Sequence, residues 1–169
     1  MMLRYSWPQA MANGETAMAS AEMPATPERV FAALVTSEVE LWWGSVDTYR
    51  MSDWAAELRV GGRWSVIVRT ADGRWLPASG AFLEIEVPRR IVQTRRYDWD
   101  HPTLGRRETT VAHLLEPTAG GTRLTVCHGG FAGFAEAAAE HADGWARVLG
   151  WLQGYFAEKA AGQPGESMS

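Results

Sequence analysis

LRVGGRW, residues 58–64, joins two stretches of strand-like sequence through a pair of glycines. Gly61 and Gly62 supply backbone angles that other residues resist, so this stretch predicts a tight turn that enters a strand. Residues 63–70 then alternate between apolar and polar side chains, which is the pattern of a strand with one buried face. The predicted inward face carries Trp64, Val66 and Val68.

More strands are predicted on both sides of this turn. Asp72-Gly73 is a strong hairpin signal, because such a pair favours the turns that connect twisted antiparallel strands. Alternation bounded by glycine and proline predicts the other strands, at residues 15–23, 48–54, 74–87, 91–97, 107–115 and 122–128.

Two short helices are predicted between the first two of these strands. Thr26-Pro27-Glu28 opens the first helix with a hydroxyl cap, a proline in the first turn and an acid near the positive end of the helix dipole. The second is predicted at residues 37–43 and is ended by Gly44.

A long amphipathic helix is predicted at the end of the chain. An alanine-rich segment at 134–141 leads to an interruption at Asp143-Gly144, and apolar residues then recur at spacings of three and four. Residues 1–14 are expected to be a loose leader and residues 159–169 a flexible tail, which leaves 15–158 as one domain.

The order of elements predicts an α+β fold. We expect a curved antiparallel sheet of about six or seven strands, wrapped around the long C-terminal helix, with two short helices after strand one. A sheet that grips one helix leaves space between them, and pockets for small molecules run to about 300–1,000 Å³.

Composition narrows the classes of function. The 169 residues carry a net charge of −4, and the basic residues are scattered, so there is no electrostatic argument for nucleic acid. No apolar run approaches the roughly 18 residues of a membrane span, and no signal peptide is evident, so a cytoplasmic protein that binds no membrane is expected. Cys127 is the single cysteine, which excludes an internal disulfide and a multi-cysteine metal site. Neither a metal nor a cofactor is expected.

Four landmarks in a fixed order carry a family resemblance. They are WWG at 42–44, LRVGGRW at 58–64, GTRL at 121–124 and GW at 144–145. The chain resembles the SRPBCC (START-like, helix-grip) superfamily over residues 15–158. Within it, the chain is similar to the family named after the activator of the 90-kDa heat-shock-protein ATPase. The resemblance implies the helix-grip fold named above.

The resemblance also implies structural roles for the motif residues. Arg59, before Val-Gly-Gly, is expected to tie the turn to neighbouring backbone; anion binding is the alternative. The other motif positions are Gly61, Gly62, Gly121 and Thr122.

Two histidines are the best candidates for chemistry. His113 shares a strand face with Val111 and Leu115, and His128 shares one with Leu124 and Val126. Because the two strands form a hairpin, both imidazoles should point to the concave side. There they would orient a polar group or transfer protons near neutral pH. The alternative is a pair of rim histidines bonded to backbone or water.

Tryptophans and apolar strand residues supply the predicted cavity wall. Each tryptophan near a helix end either stacks on a planar ligand or simply fills the core. Tyr49 and Asp53, on the strand before the motif, are within reach of the same space. The predicted ligand-binding set is Trp42, Trp43, Trp64, Val66, Val68, His113, Val126, His128, Trp145 and Leu149.

Three functions fit the sequence. The first is a module that binds an apolar or aromatic small molecule in the central cavity.

The second is a co-chaperone that stimulates the 90-kDa heat-shock-protein ATPase. The eukaryotic co-chaperone has an additional N-terminal domain that this sequence does not match, so a chaperone partner is not expected. The third is a pocket enzyme of the cyclase, aromatase or hydrolase type, although no standard catalytic motif is present. Trp151 lies off the main helix stripe, so a homodimer contact there is a further alternative.

Overall fold

Residues 6–161, the part of the chain that the computed structural model describes, form an eight-stranded sheet and three helices. The helices are α1 (Pro27–Val35), α2 (Val39–Trp42) and α3 (Ala135–Ala161). The strands are β1 (Gln9–Ala12), β2 (Thr16–Met23), β3 (Tyr49–Ala56), β4 (Arg63–Thr70), β5 (Trp75–Glu86), β6 (Arg90–Tyr97), β7 (Thr109–Thr118) and β8 (Gly121–Gly129).

The sheet is antiparallel throughout, in the order β1-β2-β8-β7-β6-β5-β4-β3. The register shifts between Ser52 and Ala55 in β3 and between Phe82 and Glu84 in β5. Such bulges bend a strand and increase its twist. The curved sheet, the long final helix and the short helices confirm the predicted fold class.

The eighth strand lies in the segment that we expected to be a loose leader. Residues 9–12 pair with 17–20 of β2 and so extend the sheet by one edge strand. All four residues of β1 are exposed, so their side chains carry no alternating pattern that would have predicted a strand. Residues 1–5 lie outside the described part of the chain.

α1 begins as its cap sequence predicts. The Thr26 hydroxyl accepts a hydrogen bond from the Arg29 backbone N–H at 3.2 Å, and Pro27 is the first helical residue. α2 is shorter than predicted, since residues 37 and 38 form turns that lead into it.

α3 differs from its prediction at an interior position and at its C-terminal end. It runs without a break through Asp143-Gly144, because glycine lowers the stability of a helix but does not end one. It also continues to Ala161, past the boundary expected for the tail, whose remaining residues, 162–169, lie outside the described range. Among the helices described, none combines the length and the apolar character that crossing a membrane requires.

α3 packs against β1 and β2, whereas α1 packs against β7 and β8. The buried face of β2 carries Ala17, Ala19 and Ala21, which are small enough to let the helix lie close to the strand. The main core lies between α1, α3 and the inner face of the sheet.

Candidate ligand-binding cavity

A cavity of about 270 Å³ lies between the N-terminal half of α3 and strands β3 to β6. The helix contributes His141, Trp145 and Val148, which are spaced by four and three residues and so share one face. Half of the lining residues outside α3 carry aromatic rings: Trp43 at the end of α2, Tyr49 and Tyr97 on strands, and Trp99 and His101 in the loop after β6.

A second, smaller cavity of about 20 Å³ lies deeper and shares Trp43, Met51, Arg95 and Trp145 with the main one. His113 also lines it. A space of this size has room for about one water molecule or one polar group.

Tyr97 and His141 form a hydrogen-bonded pair in the wall of the main cavity. His141 Nδ1 lies 2.7 Å from the Ala137 carbonyl oxygen, which can only accept, so Nδ1 carries the proton. Nε2 therefore accepts the Tyr97 hydroxyl proton, at 2.8 Å. Burial lowers the pKa of His141 to about 4 and raises the pKa of Tyr97, so both groups are neutral at pH 7.

His101 lies flat against Tyr97, with ring centroids 4.4 Å apart. Its Nδ1 accepts a hydrogen bond from the Thr103 backbone N–H at 3.3 Å. Burial also lowers the pKa of His101, so this stack forms a neutral, planar wall.

His113 is 5 % exposed and faces the smaller cavity. Among the described residues, one buried side-chain nitrogen or oxygen atom has no hydrogen-bond partner, and this atom is His113 Nδ1. Burial lowers its pKa to about 4. The imidazole is therefore neutral at pH 7 and has an unused hydrogen-bonding position beside the cavity.

His128 is fully engaged with protein groups. The Trp145 Nε1–H donates to His128 Nδ1 at 3.0 Å, so the other ring nitrogen donates to the Thr109 hydroxyl at 2.8 Å. The Thr109 hydroxyl in turn donates to the Arg95 carbonyl oxygen at 3.1 Å. His128 thus fixes the orientation of Trp145, which lines both cavities, and burial holds its own pKa well below the usual range.

Six of the ten predicted ligand-binding residues line a cavity, and the other four line neither of the two. Trp42, Val126, His128 and Leu149 are buried in the core instead. Strand alternation identifies the inner face but cannot separate core from cavity, because both lie on that face. Trp43 and Trp145 line both cavities, Val68 lines the main one, and the smaller one is lined by Trp64, Val66 and His113.

The turn motif is structural, but not through the Arg59 guanidinium. That group is exposed and lies 3.5 Å from the Glu57 carboxylate, whereas the Arg59 backbone bonds to Glu57 and Gly62. The contact between Arg59 and neighbouring backbone is thus made by its main chain. A Cβ on Gly62 would lie 2.0 Å from the Glu57 carbonyl oxygen, so the position requires glycine.

Gly121 and Thr122 close the turn before β8. Gly121 has φ +148°, and a Cβ there would lie 2.1 Å from the Met23 carbonyl oxygen. The Thr122 hydroxyl donates to the Ala25 carbonyl oxygen at 2.8 Å and so links β8 to the segment before α1.

Sequence reasoning missed Arg95, Tyr97, His101 and His141. The first two share a strand face of β6 with Gln93, so alternation along residues 91–97 was a signal that could have found them. His141 lies one turn before Trp145 on α3, and the expected interruption at 143–144 hid that spacing. Tyr49 lines the cavity as expected, whereas Asp53 is exposed and has a positive φ of 53°.

In the part of the chain that is described, no three His, Cys, Asp or Glu side chains are placed to hold a metal ion together. The residues with a hydroxyl, imidazole or charged group in the lining of the main cavity are Tyr49, Thr70, Arg95, Tyr97, His101, Glu140, His141 and Arg147.

Comparison with known proteins identifies the fold's relatives. Residues 24–157 match the family model described as activator of Hsp90 ATPase homolog 1-like protein. A crystal structure from Rhodobacter sphaeroides has a TM-score of 0.76 at 23% identity and covers 90% of this chain and 99% of that one. The AHSA1 protein of Silicibacter pomeroyi has a TM-score of 0.69 at 23% identity and covers 85% and 99%. The AHSA1-like protein of Aeromonas hydrophila has a TM-score of 0.67 at 21% identity and covers 87% and 94%. No curated protein matches the sequence.

Proposed function

Because the chain belongs to the activator of Hsp90 ATPase homolog 1-like family, we propose that it uses the helix-grip fold to bind a small aromatic molecule. The observation that carries this proposal is the main cavity, whose lining includes seven tryptophan, tyrosine and histidine rings beside aliphatic side chains. Aromatic side chains offer large flat surfaces, and offset or edge contacts with a bound ring add about 0.5–1.5 kcal/mol each beyond the area that they bury.

The cavity's size limits the ligand. Its volume of about 270 Å³ is just below the usual range of about 300–1,000 Å³ for ligand pockets. One ring or two fused rings with a short polar substituent suit this space better than a long acyl chain. The ligand would lie between Tyr97 and Trp145, with His141 beside it.

The titration of the histidines favours binding over acid–base catalysis. A general base works best when its pKa lies near the operating pH. Burial instead lowers the pKa of His113 and of His141 to about 4, and His128 donates and accepts only within the protein. These imidazoles are weak bases at neutral pH, and they act as fixed hydrogen-bonding groups.

Gly144 provides a direct test, because it lines the cavity and has nothing within 4 Å of an added Cβ. Gly144→Leu should fill the cavity while the helix keeps or gains stability, since leucine is the better helix former by about 0.8 kcal/mol. Gly154→Leu is the matched control. Gly154 also lies on α3 with open space around an added Cβ, but it lines a separate, open groove beside Trp42 and Tyr155 and neither of the two cavities.

Isothermal titration calorimetry with 2-naphthoate and its neutral isostere 2-naphthamide would measure the outcome. We expect at least one of these bicyclic compounds to bind the wild-type chain and the Gly154→Leu variant, with affinity at least tenfold weaker for Gly144→Leu. Thermal unfolding would check that both variants fold. Binding of neither compound to the wild type, or equal binding to all three chains, would contradict the proposal.

A further inference from the structure

We infer that the ligand is an aromatic anion, and that the Arg95 guanidinium holds its carboxylate at the boundary between the two cavities. This inference rests on the proposed function and names the chemical class of the ligand. Arg95 lies near the end of β6, is half-buried, and lines both the main cavity and the smaller one.

No carboxylate of residues 6–161 forms an ion pair with Arg95. The described residues form nine ion pairs, and none of the nine includes Arg95. The acid that lines the same cavity, Glu140, accepts a hydrogen bond from the Thr103 hydroxyl at 2.6 Å instead. A half-buried cation without a counter-ion is costly unless an anion from elsewhere pairs with it.

Aromatic rings surround the guanidinium on three sides. Its central carbon lies 5.7 Å from the Trp64 ring, 5.7 Å from the Tyr97 ring and 5.9 Å from the Trp43 ring. Contact with ring faces stabilises the cation but does not use its N–H groups as hydrogen-bond donors to oxygen. A hydrogen bond from Arg95 to the Tyr97 side chain acts against the rise of the Tyr97 pKa. The remaining donors of the guanidinium are suited to a carboxylate, which binds such a group through charge-assisted hydrogen bonds.

His113 adds an independent observation at the same place. Its Nδ1 is buried without a partner, and the residue lines the smaller cavity, which Arg95 also lines. In its Nδ1–H tautomer, a neutral His113 would donate to the second oxygen of a carboxylate, or to a water that the carboxylate binds. The smaller cavity has room for such a group and no more, so the ligand's ring would remain in the main cavity.

The charges around the cavity agree with an anionic ligand. The positive charge of Arg95 contributes to lowering the pKa of His101, His113, His128 and His141. With those imidazoles neutral, Arg95 is the charge that a ligand meets where the two cavities join. Arg147, the other arginine in the lining, is exposed, and its guanidinium lies over Trp151 at 5.6 Å.

The test compares 2-naphthoate with 2-naphthamide, which have nearly the same shape but differ in charge. We expect the wild-type chain to bind the naphthoate at least tenfold more tightly. Arg95→Gln should weaken naphthoate binding at least tenfold and change naphthamide binding less than twofold. Arg96→Gln, the matched control on the same strand, should leave both affinities within twofold, because Arg96 pairs with Asp98 and lines neither cavity. Arg95→Lys should recover part of the preference because it restores the charge.

The results separate this inference from the proposed function. Equal binding of the two compounds by the wild-type chain would overturn the inference and leave the proposed function standing; that comparison needs no variant. If Arg95→Gln lost affinity equally for both compounds, Arg95 would have a purely structural role, and the inference would also be overturned. If Arg147→Gln lost the preference for naphthoate while Arg95→Gln kept it, the anion would bind at Arg147, and the inference would be overturned. If the wild type binds neither compound, the proposed function itself fails.

Discussion

The two sides of α3 differ in how closely the helix approaches the sheet. On the β1–β2 side, Ala17, Ala19 and Ala21 are nearly inaccessible to solvent, and the helix packs directly on the strands. On the β3–β6 side, large rings such as Trp43 and Tyr97 stand between the helix and the sheet and enclose a cavity. The same helix is therefore closely packed along one edge and held away from the sheet along the other.

This difference shows how side-chain size divides one inner face into core and cavity. Small residues allow the backbone of a helix to come close to a strand, so side chains interdigitate and leave few voids. Rigid aromatic rings that contact one another edge to face, as Trp43 and Trp145 do at 5.6 Å, hold the two layers apart. The closely packed side should supply most of the stability, and the open side should supply binding.

Matched truncations on the two sides test this division most strongly. Leu152 is fully buried in the core, so Leu152→Ala should lower the free energy of unfolding by about 3 kcal/mol, through lost burial and the void left behind. Leu76 is half-buried and already borders the main cavity, so Leu76→Ala should cost about 1 kcal/mol. Urea unfolding would measure both, and equal losses would contradict the division into a packed side and an open side.

The pH dependence of the free energy of unfolding should show that His113, beside the smaller cavity, is held neutral in the folded chain. The folded state lowers the pKa of His113 from 6.5 to about 4, so between these values the unfolded chain binds more protons and stability falls as pH falls. This effect should cost the wild-type chain about 2 kcal/mol at pH 5 relative to pH 7. His113→Leu should remove that loss and keep or raise stability at pH 7, since it deletes an unpartnered buried nitrogen.

Urea unfolding at pH 7 and pH 5 would measure the change, with His101→Leu as the control. His101 is less buried than His113 and its Nδ1 already accepts a backbone hydrogen bond, so its replacement should alter the pH dependence less. A His113→Leu variant with the wild-type pH dependence would show that the imidazole is not held neutral in the folded chain.

The carboxylates of Glu38 and Glu140 should differ, by a smaller amount, in how much each contributes to the free energy of unfolding. Glu38 lies just before α2 and lines neither cavity. It pairs with Arg29 on α1 and accepts a hydrogen bond from the Tyr155 hydroxyl of α3 at 2.6 Å. Its hydrogen bonds with Arg29 lower the pKa of Glu38, so this stabilisation is present at neutral pH and is lost as pH falls through the lowered pKa. Glu38→Gln should therefore cost about 1–2 kcal/mol at pH 7.

Glu140→Gln is the counterpart on the open side. Glu140 is exposed and holds only the Thr103 hydroxyl, so its replacement should change stability by less than about 0.5 kcal/mol. Thermal unfolding of the two variants at pH 7 would measure the difference. If Glu140→Gln lost as much stability as Glu38→Gln, the prediction would be contradicted.

Local sequence signals predicted most of the fold. The Thr26 cap, the Asp72-Gly73 turn and the alternation of residues 63–70 each depend on neighbours within a few positions, and each is confirmed. β1 was missed for the opposite reason. Its residues are all exposed, and it is held as a strand by backbone pairing with the edge of β2, which leaves no trace in side-chain periodicity.

The candidate site was predicted only in part, because it is assembled from distant segments. Trp43, Val68 and Trp145 were found from strand alternation and helix position. Tyr97 and His141 are 44 residues apart, and nothing local relates one to the other.

By itself, the sequence determined the family, the order of the helices and of every described strand except β1, and which residues of those strands share a face. Those properties follow from spacing along the chain, since side chains recur every two residues on a strand and every 3.6 on a helix. Only the tertiary structure decided where the inward face becomes core and where it becomes cavity. That outcome depends on the distance between α3 and each strand, and this distance is set by the combined volume of side chains from segments far apart in sequence.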